Sequence, residues 1–380
     1  MNQTTIAMPT LLTHARPTIV ATGSVHLRAL IKEEIAKNGQ WCDLNHIDVS
    51  RVKAMTGLFE KSSFYGDISK WDVSNVKTFA RMFRLAGFNG DLSQWNTSGA
   101  TCMDGMFEKS SFKGNISRWD VSNVTSMERM FLGSEFNGNL SSWNVSRVTS
   151  MKEMFMHAQF SGDISKWDVS SVTSFYSMFQ GLKADLDVSN WNVGSGDNFA
   201  KMFEQSHFEG DVSAWNVAKG KSFHCMFKNT TFNGDLSRWD VSRGSNFGWM
   251  FEKSEFNGRI GMWNMAQARD LTAMFSTSAF EQDVGAWAIG PSTKTQHIFQ
   301  GNTGAFSEQT PTAWVVNAFV QEHALDADVD WAPALLEYRQ LRGALGLLRE
   351  NIKGDVVGIQ QRMAKTLSHY PLDGLIEQNP

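Results

Sequence analysis

A tryptophan recurs every 24 residues across most of this 380-residue chain. The tryptophan column comprises Trp71, Trp95, Trp119, Trp143, Trp167, Trp191, Trp215, Trp239, Trp263 and Trp287. A phenylalanine column of the same period begins at Phe59 and ends at Phe299. A fixed period between roughly 20 and 50 residues is typical of repeat proteins, whose units pack mainly on their neighbours. The spacing therefore predicts a stack of eleven 24-residue units over residues 47–304.

The apolar residues of one unit predict a short strand followed by a short helix. Their spacing in residues 116–124 matches the L-x-x-L-x-L pattern that forms one wall of a leucine-rich repeat. In residues 127–131 they lie at i, i+3 and i+4, and Thr125 with Glu128 has the spacing of a capping box. We predict a repeat solenoid of leucine-rich-repeat-like type, and a parallel β-helix-like solenoid is the alternative.

The two ends of the chain depart from the repeat. Residues 1–23 are interpreted as a flexible leader and residues 24–46 as an N-terminal helical cap, with Ser24 as N-cap and Gly39 as the helix stop. Residues 305–380 are predicted to form a C-terminal helical cap or a small helical domain. They carry ten acidic and six basic residues, which accounts for the whole net charge of −4.

One segment near the C-terminus has the acid spacing of a calcium-binding loop. It contains Asp326, Asp328, Asp330 and, at the twelfth position, Glu337. The sixth position of such a loop needs glycine for a left-handed turn, and here it is Trp331. An acidic turn that caps a helix is therefore favoured over a metal site, and we predict no bound metal or cofactor.

Composition argues against several classes of partner. The isoelectric point is about 6.2 and the lysines and arginines are scattered, so we expect neither nucleic-acid binding nor attraction to an anionic membrane. No apolar stretch is long enough to cross a bilayer. Cys42, Cys102 and Cys225 are far apart and odd in number, which predicts reduced thiols rather than disulfides or a zinc site.

The residues on either side of the tryptophan alternate between charged and uncharged units over the first six tryptophans. The charged set is Lys70, Asp72, Arg118, Asp120, Lys166, Asp168, Arg238 and Asp240. In one interpretation, alternation only prevents like charges from facing each other in adjacent units. In the other, these side chains form a stripe that contacts a partner, and Trp249, which lies outside the tryptophan column, adds a contact.

Catalytic signatures are missing from the sequence. It has no G-x-S-x-G, no G-x-x-x-x-G-K-[ST] and no H-E-x-x-H motif. His224 and Cys225 are adjacent, but neighbouring residues of a helix point in different directions, so a catalytic dyad is not expected. We predict that the chain is not an enzyme.

The repeated phrase F-N-G-D-[LI]-S-x-W-[DN]-V-S-x-V-T-x-M-x-x-M-F, present with small changes at 136–155 and 232–251, closely resembles a known repeat. It is similar to that of bacterial BspA-like leucine-rich-repeat surface proteins and of related mycoplasma lipoproteins of unknown function. The resemblance covers roughly residues 25–304. It implies a scaffold for adhesion or protein interaction, with no catalytic residues to transfer.

Family members are commonly anchored at the cell surface, whereas this sequence shows neither a Sec signal nor a membrane anchor. The expected location is the cytoplasm, or the exterior by a leaderless route. Two functions remain open. The solenoid wall binds a protein or glycan, as in bacterial adhesins and effectors, or the solenoid is a targeting arm for an activity in residues 305–380.

Overall fold

The computed structural model describes residues 17–290 and 292–302. Residues 1–16 of the predicted leader, the predicted C-terminal helical segment and the acidic loop at 326–337 lie outside the described residues. The helix and strands of the described chain are strand β1 (Ile19–Val20), helix α1 (Ser24–Asn38) and strand β2 (Ile47–Asp48). β1 and β2 pair in parallel, with Ile19 opposite Ile47.

From residue 47 onward, successive units stack in parallel with equivalent residues side by side. Isolated parallel bridges join Ala54 to Thr78, Thr78 to Cys102, and so on at 24-residue steps to the bridge between Asp270 and Lys294. We call the residues that lie 24 positions apart a column and name it by one member. The stack therefore converts each sequence column into a row of neighbouring side chains.

Backbone hydrogen bonds tie each unit to both of its neighbours. The N–H of Phe107 donates to the carbonyl of Met130 in the following unit, at 2.9 Å. The N–H of Thr125 donates to the carbonyl of Thr101 in the preceding unit, also at 2.9 Å. Because buried backbone groups need partners, this two-way bonding holds the units in a single register.

The strand predicted over residues 116–124 is wrong. Residues 117–118 and 122–123 are turns, and the parallel bridge falls later, at Ser126. The apolar residues Ile116, Trp119, Val121 and Val124 are nevertheless all buried. A chain with turns at 117–118 and 122–123 also places these four apolar residues in the core. The spacing of the apolar residues therefore did not distinguish two turns from a strand.

The short helix predicted at residues 127–131 is also wrong. The N–H of Met130 bonds to the carbonyl of Met127, a three-residue turn, at 3.2 Å. The N–H of Phe131 instead crosses to Met154 of the next unit, at 3.0 Å. Every second N–H group of residues 127–133 donates to a carbonyl of the next unit. These groups are therefore not available for the i to i−4 bonds of an α-helix.

The predicted capping box is replaced by contacts between units. Thr125 Oγ1 donates to the carbonyl of Thr101, at 3.2 Å, rather than to a helix N-terminus. Glu128 Oε1 accepts a hydrogen bond from Ser150 Oγ, at 2.7 Å. Both side chains therefore join a neighbouring unit to their own.

Residues 127–134 turn twice, through bonds from the N–H of Met130 to the carbonyl of Met127 and from the N–H of Ser134 to the carbonyl of Phe131. We call this segment and its equivalents the double turn, and the surface that they form the double-turn face.

Each double turn contains two left-handed backbone positions. In the unit that contains Trp119 these positions are Arg129 and Gly133, with φ of 58° and 59°. Across the two columns φ lies between 51° and 69°, and most of the residues are not glycine. A residue with a side chain is strained in this conformation by roughly 1 to 2 kcal/mol, so stacking between units must offset the strain.

One continuous core fills the stack. In the phenylalanine column the rings of successive units lie 5.6 to 6.1 Å apart, as between Phe83 and Phe107. Every indole of the tryptophan column donates Nε1–H to the carbonyl 27 residues earlier, at 2.9 to 3.2 Å, as Trp119 does to Leu92. The indole is thus buried with its polar atom satisfied.

Helix α1 covers the start of the stack, and its side chains donate hydrogen bonds to carbonyls of the first unit. Ser24, predicted as N-cap, is the first helical residue; Gly23 is the N-cap, and Ser24 Oγ bonds to the carbonyl of Ala54. Arg28 donates to the carbonyls of Thr56 and Gly57, at 2.9 and 3.0 Å. The helix ends at Gly39, whose φ of 80° is left-handed.

Replacing Lys61 by glycine should stabilise the fold, because Lys61 is exposed and holds a left-handed φ of 56°. We expect the free energy of unfolding in urea to rise by about 1 kcal/mol. Lys70→Gly is the matched control, since Lys70 is exposed and not in the left-handed set; it should lose about 0.5 to 1 kcal/mol. Equal losses in both variants would contradict the strain assigned to these columns.

Candidate interaction surface

The residues predicted to contact a partner lie in rows on both sides of the buried tryptophans. Lys70, Asp72, Arg118, Asp120, Lys166, Asp168, Arg238 and Asp240 are all exposed. We call these eight residues the tryptophan-flanking surface. The first three charged units are two steps apart and the fourth is three steps further on, so their like charges are separated by at least roughly 10 Å at about 4.8 Å per step.

The four aspartates of this surface also build the chain turn. Asp120 Oδ1 accepts the backbone N–H of Ser122 at 3.0 Å, and Asp72, Asp168 and Asp240 do the same with the serine two residues later. In the uncharged units Asn96, Asn144, Asn192, Asn216 and Asn264 make the same bond. Aspartate and asparagine are therefore equivalent acceptors in this turn, and only their charge differs.

A second turn of the same kind precedes each tryptophan. Asp163 Oδ1 accepts the N–H of Ser165 at 2.9 Å, and Asp235 accepts that of Ser237 at 2.8 Å. The Ser165 hydroxyl and amide lower the pKa of Asp163, and nearby Lys166 lowers it further. Lys70, Lys166 and Arg238 thus lie near a carboxylate of the preceding turn, whereas Arg118 follows Asn115 and does not.

The face formed by the double turns carries ion pairs between neighbouring units. Arg84 lies between Glu60 and Glu108, at 2.8 and 2.9 Å, and these hydrogen bonds raise the pKa of its guanidinium. Arg129 Nε contacts Glu153 at 2.7 Å. These cations are engaged in stacking contacts, so they are poorer candidates for binding a partner than those that flank the tryptophans.

Trp249 lies on the double-turn face and is only partly exposed. Its ring packs edge-on against His224 of the preceding unit, with centroids 5.3 Å apart. Burial lowers the pKa of His224 and raises the pKa of the adjacent Cys225 thiol to about 12. A protonated, buried thiol is a poor nucleophile, so this pair has the electrostatics of a packed core and not of a dyad.

A small gap interrupts the packing of the core in one unit. A gap of about 10 Å³ lies beside Ala184, where the phenylalanine of other units is missing and Leu186 occupies the usual glycine position. That volume is about one water molecule.

Among the described residues, no three His, Cys, Asp or Glu side chains are arranged to hold a metal ion. No helix of the described chain has the length and apolarity needed to span a membrane.

Two surface features were not predicted from the sequence. Trp41, 75% exposed, stacks on Tyr65 with ring centroids 4.8 Å apart at the N-terminal end. Eight cations also fall in two columns, those of Arg51 and Lys53, which lie on either side of the buried Val52 column. A tabulation of charge by column, rather than over the whole chain, would have shown this row.

Replacing Asp120, Asp168 and Asp240 together by asparagine should reduce the acid sensitivity of the fold. Bonds from serine two residues later lower the folded-state pKa of each aspartate. Their stabilisation is present above the unfolded-state pKa and is lost as pH falls through the folded-state pKa. Unfolding midpoints followed from neutral to acid pH should fall less steeply in the asparagine variant than in the wild type.

Two single substitutions complete this test. Asn144→Asp should steepen the loss of stability in acid, and Asp120→Ala should lose about 1 kcal/mol at neutral pH because the turn acceptor is gone. Parallel pH profiles for wild type and the triple asparagine variant would show that these carboxylates contribute nothing that depends on ionisation.

The chain was compared with protein families, curated proteins and solved structures. A family model described as Mycoplasma protein of unknown function, DUF285, matches residues 30–138, 108–206, 134–231, 182–255 and 232–325. Neither the curated proteins nor the solved structures contain a match to this chain. The overlapping matches span most of the chain, which therefore belongs to the DUF285 family of mycoplasma-type repeat proteins.

Proposed function

We propose that this protein is a non-enzymatic interaction scaffold that binds a protein or glycan on its exposed rows, as adhesins or effectors do. The observation that carries the proposal is the column geometry. Exposed columns repeat related side chains along the stack at intervals of about 4.8 Å, as in the aspartate and asparagine column after the tryptophan, while the core is filled by aromatic rings and methionines. Such an array suits an extended partner better than a small substrate.

The architecture proposed with this function is a solenoid. The leucine-rich-repeat-like type remains the first proposal because the period and motif resemble that class. The parallel β-helix-like alternative gains support from the run of parallel bridges and from the missing helix in each unit. Either type presents long rows of side chains.

The tryptophan-flanking surface is the proposed contact region. One carboxylate oxygen of each aspartate accepts bonds within its turn, which leaves the second oxygen and the neighbouring cation to face a partner. Because the turn fixes the carboxylate, little side-chain entropy would be lost on binding. Trp249 is a weaker candidate, since its ring already packs on His224.

The second candidate function assigns the activity to the C-terminal segment. The family match ends at residue 325, so residues 326–380 lie beyond it. In this case the stack is a targeting arm for an activity carried by residues 305–380. A chain ending at residue 304 would then fold and lose all activity, whereas the scaffold proposal expects it to keep its partner.

The test is affinity capture with three full-length baits. The first is the wild type, and the second carries Arg118→Glu, Asp120→Asn, Lys166→Glu and Asp168→Asn, which keeps both turn acceptors. The third, Lys109→Gln with Lys253→Gln, makes the same change of −2 in net charge at exposed positions of the double-turn face. We expect a partner retained by the first and third baits and reduced at least tenfold on the second. Equal retention by all three would refute the tryptophan-flanking surface.

A further inference from the structure

Two exposed columns of the stack hold cations almost to the exclusion of acids. They flank the buried Val124 column on either side and contain Asn123 and Thr125. Their cations are Arg51, Lys53, Lys77, Arg147, Lys219, Lys221, Arg243 and Arg269, all exposed. We call these eight residues the basic stripe. Asp197 is the single acid of the two columns in the described residues, although residues 1–304 as a whole contain 29 basic and 29 acidic residues.

The basic stripe runs parallel to the stack. An unbroken series of backbone hydrogen bonds follows the Thr125 column, beginning with Lys77 N–H to the carbonyl of Lys53 at 2.8 Å and continuing to Arg269 N–H and Ser245 at 2.8 Å. Nine steps of about 4.8 Å make this row roughly 43 Å long. The cations fall into three groups, at the first two units, at Arg147, and at Lys219 to Arg269.

Most of these cations form no close ion pair among the described residues, although Arg51 and Arg243 lie near enough to Asp48 and Asp240 to help lower the pKa of those carboxyls. Of the eight residues, Lys221 alone lies within ion-pair distance of a carboxylate of the described chain, 3.0 Å from Asp197. Both partners of that pair are exposed, so water screens it strongly. Arg147 donates to the uncharged Asn123 at 2.8 Å. The stripe therefore presents cations to solvent, unlike the paired cations of the double-turn face.

Hydroxyl groups occupy the interval between the charged groups. Thr101, Thr125, Thr149 and Thr173 lie in four successive units, and each Oγ1 donates to the carbonyl of the preceding unit at 3.1 to 3.2 Å. Because a hydroxyl that donates once still has acceptor lone pairs, the row offers acceptors to a partner rich in hydroxyls. Between Lys77 and Arg147, three units apart, roughly 14 Å of the row carries no charge.

This pattern distinguishes among linear polyanions. Single-stranded nucleic acids bind where aromatic side chains stack on bases, and the two columns contain no aromatic residue in the described units. A polymer with closely spaced charges would leave many anions opposite uncharged threonines. A chain with intermittent carboxylates or sulfates and many hydroxyls would match both parts of the row.

We propose that the basic stripe binds an acidic polysaccharide, extended along the stack. The proposal rests on the scaffold function above and assigns to it a second surface and a chemical class of partner. Because the three cationic groups lie more than a Debye length of about 8 Å apart, they act as separate contacts. Affinity should therefore increase with the length of the polysaccharide until all three groups are engaged.

The test measures binding of the full chain to hyaluronan, which carries a carboxylate on every second sugar, by fluorescence anisotropy of labelled fragments of increasing length. Lys219→Gln, Lys221→Gln and Arg243→Gln together remove most of one group. The matched control, Lys109→Gln, Lys183→Gln and Lys253→Gln, removes the same charge from exposed positions off the stripe. We expect at least tenfold weaker binding in the stripe variant and less than twofold in the control, with unfolding midpoints unchanged. The salt dependence of log Kd should also become shallower in the stripe variant, because fewer cations contact the polymer.

Equal weakening by the two variants, or no measurable binding of hyaluronan, would overturn the proposal. Equal or tighter binding of polyglutamate or of oligothymidine would also overturn it, in favour of an acidic protein or a nucleic acid. The tryptophan-flanking variant should bind hyaluronan normally. Failure of the stripe is thus distinguishable from failure of the scaffold proposal, which is decided by partner capture.

Discussion

Every feature of this protein depends on the register between adjacent units. That register is fixed twice: by backbone N–H groups that bond to the next and the preceding unit, and by the indole of each unit, which bonds to a carbonyl 27 residues earlier. Because one unit cannot satisfy these groups alone, stability is shared between neighbours. The left-handed positions are tolerated for the same reason, since the bonds between units outweigh local strain.

Register also creates the surfaces. A residue repeated at 24-residue spacing becomes a row, so a small bias in one column grows into a long band of one chemical type. The tryptophan-flanking surface, the ion-paired double-turn face and the basic stripe differ in whether their charges are already satisfied. The double-turn face uses its cations to bind neighbouring units, whereas the stripe leaves most of its cations to solvent.

Sequence patterns predicted the repeat and its buried columns well. The tryptophan, phenylalanine and methionine positions chosen from periodicity are buried, apart from Phe299, which is partly buried. The strand and helix within the unit were wrong. Spacings of three and four residues fit a helix and a pair of consecutive turns equally well. Glycine occurs at five positions of the two left-handed columns, 57, 105, 133, 181 and 301, and was the local sign of left-handed backbone.

The sequence by itself determined the length of the unit, the identity of its core columns and the membership of a repeat family, because each of these is a property of spacing along one chain. The tertiary structure decided which carbonyl each N–H reaches, that alternate N–H groups leave the unit, and which exposed columns lie side by side. Those contacts join residues 23 to 27 positions apart, a separation over which local propensity carries no information. The bias of two columns toward cations can be read from the sequence once charge is counted by column, but only the stacked structure shows that these cations form one row with a single ion pair among the described residues.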